Sequence, residues 1–238
     1  MKAVLNRWSV AGFGNLRLEW LLRVMTAVMT GEAYFSALRN VDVPTLQNGL
    51  ERTEKRVDKI LNQISSRLGL DHSGILGSVF AFPIMARFLE INGGILKDYK
   101  QWDKLLYWYV HTLLWGRYTS STESVMNQDL NILQNSTDPL TDLIGILKQG
   151  RGGDLKVNPN DFNSWSIGSR FYPLLYMMTR VQHARDWETG IEISNHLLGR
   201  LSRLQVHHIF PRGVLYKAGY SKAQVNAIAN FTFLTQET

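Results

Sequence analysis

One apolar stripe runs through residues 45–68 and predicts a long amphipathic helix. Its members are spaced seven, four, three and four residues apart, at Leu50, Val57, Leu61, Ile64 and Leu68. Side chains at these spacings share one side of a helix and need a partner surface to bury them. Thr45 is placed to cap the start of this helix and Gly69 to end it. Because such a helix needs neighbours, the pattern predicts a helical bundle.

Two further apolar segments predict helices packed against it. The segment from Ile75 to Ile91 contains Pro83, which predicts a kink or a split into two pieces. Residues 98–115 are apolar on nearly all sides, so we place this helix at the centre of the bundle. His111 has no acidic residue or histidine at ligand spacing, which favours a core histidine over a metal ligand.

Capping residues mark two more helix starts. Ser120 and Glu123 have the spacing of a capping box, in which each side chain bonds a free backbone N–H of the first turn. Asp138 followed by Pro139 is typical of an N-cap with proline in the first helical position. Residues 169–182 are again apolar and predict another helix.

The composition bounds the class of protein. The chain has 238 residues, 45% of them hydrophobic, which is enough for a core in one or two domains. It has no cysteine, so a disulfide framework is excluded and a reducing cytoplasm fits. No run of about 18 apolar residues predicts a membrane span, and the first residues lack a signal-peptide pattern. We therefore expect a cytoplasmic protein with an α-helical domain over residues 1–190.

Two short strands are predicted near the end of the sequence. The first lies in the run Q-V-H-H-I-F-P-R, residues 205–212, and the second in I-A-N-F-T-F-L-T, residues 228–235. The second run alternates aromatic residues and threonine, which is typical of a strand. Because adjacent strand residues point to opposite faces, His207 and His208 are expected on different faces.

These two runs resemble the HNH, or ββα-metal, nucleases. More narrowly, they resemble the C-terminal HNH domain of GmrSD-like restriction proteins, and the G-R-Y segment at Arg117 resembles the helical middle region of those proteins. The resemblance implies that His207 is a metal ligand, that His208 is the general base and that Asn230 braces the loop. It also implies an N-terminal ParB-like domain in the parent protein and restriction of foreign DNA as the activity.

The last metal ligand of that family falls about nine residues after the bracing asparagine, which is position 239 here. We therefore expect residues 191–238 to form an incomplete ββα-metal (HNH) module and the chain to be a fragment with poor nuclease activity alone. Hydrolysis of a phosphodiester needs a divalent cation, which we expect to be Mg²⁺ or Mn²⁺. An imidazole can accept a proton from water at neutral pH.

The charge distribution agrees with DNA as a partner. The net charge is +6, and from residue 200 onward five basic residues stand against one acidic residue, Glu237. The basic residues are Arg200, Arg203, Arg212, Lys217 and Lys222. A polyanionic substrate favours such a surface. Arg212 and Arg117 are candidate phosphate contacts, although for Arg117 a structural role that bonds helix-end carbonyls is the favoured interpretation.

Two alternatives remain open from the residues. The acidic pair Asp186 and Glu188 could bind a cation, although exposed loop acids are the more ordinary interpretation. The chain could also be a helical interaction or regulatory module whose nuclease site is vestigial. The sequence beyond Thr238 would distinguish this module from an enzyme, because a ligand-bearing helix there favours catalysis.

Overall fold

The computed structural model describes residues 1–96, 98–162, 170–193 and 205–235. Within these ranges the protein is mainly helical, as predicted, with one small antiparallel sheet of two strands. The elements in chain order are α1 Lys2–Val10, α2 Leu18–Thr30, α3 Val43–Leu68, α4 Phe82–Ile91, α5 Tyr99–Leu114, α6 Thr122–Asn135, α7 Pro139–Gly150, α8 Tyr172–Val181, β1 Gln205–His208, α9 Arg212–Lys217, α10 Lys222–Val225 and β2 Phe231–Leu234.

The chain divides into two compact units. Residues 1–65 and 71–155 form the first unit, and residues 66–70 and 156–238 form the second. The second unit contains the two strands together with α8, α9 and α10. The boundary predicted at residue 190 lies inside this second unit and stays a prediction of where the nuclease-like part begins.

Helix α5 contributes two large side chains to the core of the first unit. Trp108 and Tyr109 of this helix are fully buried, and the Tyr109 hydroxyl donates a hydrogen bond to the carbonyl of Leu76. A chain of edge-to-face ring contacts connects Tyr109 with Phe82, Trp20 and Trp8, at centroid distances of 6.1, 5.4 and 6.0 Å. Such pairs contribute beyond their buried area. The apolar helix predicted over 98–115 thus contributes to the core, but its central position is not confirmed, because α5 keeps Asp103, Lys104 and Tyr107 exposed.

The helix predicted from the apolar stripe is α3, with a different cap from the predicted one. Asp42 accepts hydrogen bonds from the backbone N–H and the hydroxyl of Thr45, both at 2.9 Å, so Thr45 is a donor to the cap. Pro44 explains this start, because a proline is tolerated only in the first helical turn. Gly69 ends the helix with φ +68°, and a Cβ there would lie 2.6 Å from Arg180 Cβ.

Two other predicted helix starts are wrong in detail. The segment predicted over 75–91 contains a 3-10 turn at Val79–Ala81 followed by α4, and Pro83 stands in the first turn of α4, so the predicted kink is absent and the predicted start at Ile75 is too early. Ser120 and Glu123 do not form a capping box, because α6 begins at Thr122 after Ser121, which has a left-handed backbone. The Glu123 carboxylate instead pairs with Arg23 at 2.7 Å. The cap predicted at Asp138 is confirmed, since its side chain accepts from the N–H of Thr141.

His111 is a core residue of α5, as predicted. Its Nδ1 accepts a hydrogen bond from Trp115 Nε1 at 2.9 Å, and its ring lies 4.3 Å from the Tyr107 ring centroid. Burial lowers the pKa of His111 to about 4, because a charged imidazole loses its hydration there. The imidazole of His111 is thus neutral in the folded protein over the physiological range of pH.

This buried imidazole predicts a stability that depends on pH. Below a pH of about 6.5 the unfolded histidine binds a proton, whereas folded His111 does so only near its pKa of about 4. The free energy of unfolding should therefore fall as the pH drops through that window, and His111 should add no pH dependence above it. Urea titrations of wild type and His111→Gln at several pH values would measure this. Identical pH profiles for the two proteins would contradict it.

The second unit packs α8 against the apolar face of the hairpin. Phe233 of β2 lies edge-on to Tyr172 and Tyr176 of α8, at centroid distances of 5.4 and 5.3 Å. The Arg180 guanidinium, at the end of α8, donates to the Ile193 carbonyl at 2.9 Å. In the described part of the chain, no helix has both the length and the apolar character needed to cross a membrane.

Candidate functional site

The two predicted strands pair as an antiparallel hairpin. His207 lies opposite Thr232, and His208 lies opposite Phe231. Cross-strand partners share a face of the sheet and neighbours along a strand alternate. His207 and His208 therefore lie on opposite faces, as the sequence predicted.

His208 lies on the apolar face of the hairpin. Its ring centroid is 4.4 Å from that of Phe231, with the planes tilted by 51°, and Val206 and Phe233 occupy the same face. His208 Nε2 is buried, and no described residue offers it a hydrogen bond. A buried polar nitrogen without a partner is uncommon because its desolvation is not compensated. This nitrogen is therefore a candidate for a role in proton transfer or ligand binding.

His207 lies on the other face and is half-buried. Its Nε2 is 3.2 Å from the Oε1 atom of Gln205, two residues earlier on the same side of β1. An imidazole nitrogen and an amide oxygen are both ordinary ligands of divalent cations. One histidine with a neighbouring amide is a small donor set, and the rest of a coordination shell would come from elsewhere.

Asn230 fixes the chain where β1 ends. Its side-chain oxygen accepts from the Phe210 N–H at 2.8 Å, and its amide nitrogen donates to the carbonyls of Phe210 at 3.2 Å and Val225 at 2.9 Å. Its backbone carbonyl also accepts from the Ile209 N–H at 2.8 Å. Asn230 is buried, so water competes little for these bonds. They are the contacts that the bracing role implied by the resemblance would require.

Asp186 is a buried structural residue, so its interpretation as an exposed loop acid is wrong. It is only 2% exposed. Its Oδ1 accepts from the N–H of Glu188 and from the N–H and hydroxyl of Thr189, while its Oδ2 accepts from the N–H and hydroxyl of Thr235. A carboxylate has about four lone-pair sites, so five donors leave no room for a cation. Asp186 ties its loop to the residue after β2, and Glu188 is exposed.

The two arginines predicted to contact phosphate differ in their surroundings. Arg212 is exposed in the first turn of α9, and no described side chain forms an ion pair with it. Arg117 donates to both oxygens of the fully buried Asp129, and Tyr118 donates to the same carboxylate at 2.6 Å. This geometry favours a structural role for Arg117 and lends its phosphate role no support. The basic residues Arg200 and Arg203 lie outside the described residues, as do Glu237 and Ser169.

Sequence reasoning missed the clamp between Asp186 and Thr235. The contacts of Asp186 with its own loop could have been predicted, because an aspartate followed three residues later by threonine is typical of a turn closed by a side chain. The contact with Thr235 joins residues 49 positions apart and has no local signal.

Among the described residues, no three histidines, aspartates or glutamates come together in a group that could hold a metal ion. His207 is thus the single predicted ligand that the described hairpin presents.

No protein-family model matches the chain, and no curated protein matches its sequence.

Proposed function

We propose that the intact protein is a metal-dependent DNA endonuclease of the HNH type, similar to the GmrSD-like restriction proteins and acting in defence against phage. In this proposal, His208 is the general base and His207 is a metal ligand. The observation that carries it is the set of Asn230 hydrogen bonds to Phe210 and Val225. They hold the segment that directly follows two histidines on opposite faces of the hairpin.

The environments of the two histidines support this division of roles. His208 packs against Phe231 and has an unsatisfied ring nitrogen, so its ring is held in place and one nitrogen is free to accept a proton from the attacking water. Asn230 fixes the backbone two residues further on, which limits how far that ring can move. General bases depend on such positioning.

His207 would hold the cation from the other face, with Gln205 beside it. When bound, a divalent cation such as Mg²⁺ or Mn²⁺ would neutralise charge on the scissile phosphate. The donor set of the described residues fits one or two protein ligands, with water and phosphate completing the shell. Mg²⁺ commonly keeps several waters in protein sites.

We predict that His207→Ala weakens the binding of the metal ion that activates cleavage. Excess metal should then restore part of the maximal cleavage rate. The measurement is plasmid nicking by the intact protein against increasing Mg²⁺ or Mn²⁺. The variant should need a higher metal concentration for half-maximal cleavage, because one ligand is lost.

His183→Asn is the matched control for this prediction. It removes an exposed imidazole in the same unit, and asparagine tolerates the backbone φ of 53° at this position. The control should nick DNA with the wild-type metal dependence. An unchanged metal dependence in His207→Ala would remove His207 from the site. Absence of metal-dependent cleavage by the wild-type protein would favour the helical interaction module with a vestigial site.

A further inference from the structure

The segment between β1 and β2 exposes several large apolar side chains on an ordered backbone. Exposed fractions are 61% for Phe210, 59% for Val214, 42% for Tyr216 and 49% for Tyr220. The backbone of Phe210 is fixed, since Asn230 bonds both its N–H and its carbonyl. Apolar side chains displayed together on an ordered segment mark an interaction surface.

The backbone beneath Tyr216 and Tyr220 is equally well supported. The Gly219 and Tyr220 N–H groups donate to the Tyr216 and Leu215 carbonyls at 3.1 Å each. Ser221 and Gln224 form a capping box at the start of α10, and Val225 is fully buried below it. Tyr216 is therefore presented by α9, and Tyr220 by the hydrogen-bonded turn between α9 and α10. Little backbone entropy would be lost when a partner binds them.

The charges interleaved with these rings have one sign. Arg212, Lys217 and Lys222 are all exposed, and residues 205–235 contain no aspartate or glutamate. Arg212 and Tyr216 stand four residues apart in α9, which places a cation and a ring on one side of that helix. Charge complementarity therefore favours a polyanionic partner over a protein surface that carries both acidic and basic residues.

We propose that this surface, defined by Phe210, Tyr216, Tyr220, Arg212, Lys217 and Lys222, binds single-stranded DNA. The three basic side chains contact phosphates, and the three aromatic rings stack on unpaired nucleobases. In a duplex the faces of the bases are covered by their neighbours, whereas a single strand offers them to aromatic side chains. This inference rests on the proposed function, because a single-stranded stretch of the DNA substrate would be held beside the hairpin.

The first experiment measures binding of a fluorescent DNA oligonucleotide by anisotropy, at several salt concentrations, with single-stranded and duplex probes. The single strand should bind more tightly. Three phosphate contacts predict that the logarithm of affinity falls with the logarithm of salt with a slope of about −2. The triple variant Arg212→Ala, Lys217→Ala, Lys222→Ala should flatten this slope to near zero.

Its control removes three exposed lysines from the other unit, in the variant Lys2→Ala, Lys55→Ala, Lys100→Ala. Both triple variants have the same net charge, so the control should keep the wild-type slope. If both variants lose affinity equally, the binding reflects overall charge and the surface is wrongly assigned.

Ring variants separate stacking from apolar docking. Tyr216→Leu and Tyr220→Leu keep apolar area but lose the aromatic face, and each should weaken single-strand binding by roughly 5-fold or more. Tyr216→Phe and Tyr220→Phe should bind nearly as wild type does. Circular dichroism would check that each variant is folded. Equal binding by the Leu and Phe variants, or tighter binding of the duplex, would overturn the proposal.

Two further outcomes separate this inference from the proposed function. If His208→Ala abolishes cleavage but every surface variant binds as wild type, the nuclease stands and the inference fails. If the surface variants lose binding and no protein cleaves DNA, the inference stands and the nuclease fails. Wild-type self-association in sedimentation, lost in Phe210→Ala, would assign the surface to a second copy and overturn the proposal.

Discussion

Replacing His208 with alanine is expected to lower the rate of DNA cleavage by the intact protein by about 10²- to 10⁴-fold, or roughly 3–5 kcal/mol of barrier. The variant loses the ring nitrogen that has no hydrogen-bond partner among the described residues, and with it the proposed acceptor for the proton of water. Binding of DNA and of metal should change little, because His207 and the basic side chains remain. The measurement is the nicking rate at saturating Mg²⁺ and DNA.

The control for this experiment must account for packing, since His208 also contacts Phe231. Val206→Ala truncates a neighbour on the same face of the hairpin without touching proton transfer. It should lower stability slightly and leave the rate within a few-fold of wild type. Excess metal should not restore His208→Ala. If it does restore this variant and leaves His207→Ala inactive, the two roles are reversed. If neither histidine matters for cleavage, the proposed nuclease site is wrong.

Replacing Asp129 with alanine is expected to lower the free energy of unfolding by about 3–5 kcal/mol. Asp129 is 0% exposed and accepts hydrogen bonds from Arg117 and Tyr118. Burial alone would lower the pKa of Arg117, but the hydrogen bond and charge of Asp129 raise it above its usual value. Without that carboxylate, a largely buried guanidinium and a buried hydroxyl lose their common partner.

Urea unfolding followed by tryptophan fluorescence would measure this effect, because five of the seven tryptophans lie in the first unit with Asp129. Arg7→Ala is the control, since it removes an exposed pair with Glu54 and Asp58, and such pairs contribute up to about 1 kcal/mol.

A second variant tests the origin of the loss. Replacing Arg117 by methionine, Tyr118 by phenylalanine and Asp129 by leucine together should recover much of the stability, because no buried polar group is then left unpaired. A loss no larger than that of Arg7→Ala would show that the buried cluster contributes little.

Local patterns determined the helical class and the position of the hairpin. The stripe of α3, the apolar run of α5 and the cap at Asp138 each depend on residues within a few positions of one another. The alternation around Thr232 located β2, and the His207–His208 pair had to divide between two faces once β1 was a strand. Periodicity and capping are short-range effects, so one sequence is enough to detect them.

Tertiary structure decided which of several competing local choices was used. Glu123 could have closed a capping box, but its carboxylate pairs with Arg23, one hundred positions earlier in the chain. Arg117 could have faced solvent and a phosphate, but Asp129 on α6 binds its guanidinium. In both cases a charged group gains more from a fixed, partly buried partner than from an exposed position in water.

The candidate site also combines local and tertiary contributions. The sequence predicted His207, His208 and Asn230 as site residues, from the strand pattern and from the resemblance. Only the tertiary structure shows that Asn230 bonds Phe210 and Val225 and that Asp186 bonds Thr235. These contacts join residues whose separation along the chain carries no periodic signal. They form because a buried polar group must find a partner in whatever segment packs against it, and packing is a property of the whole unit.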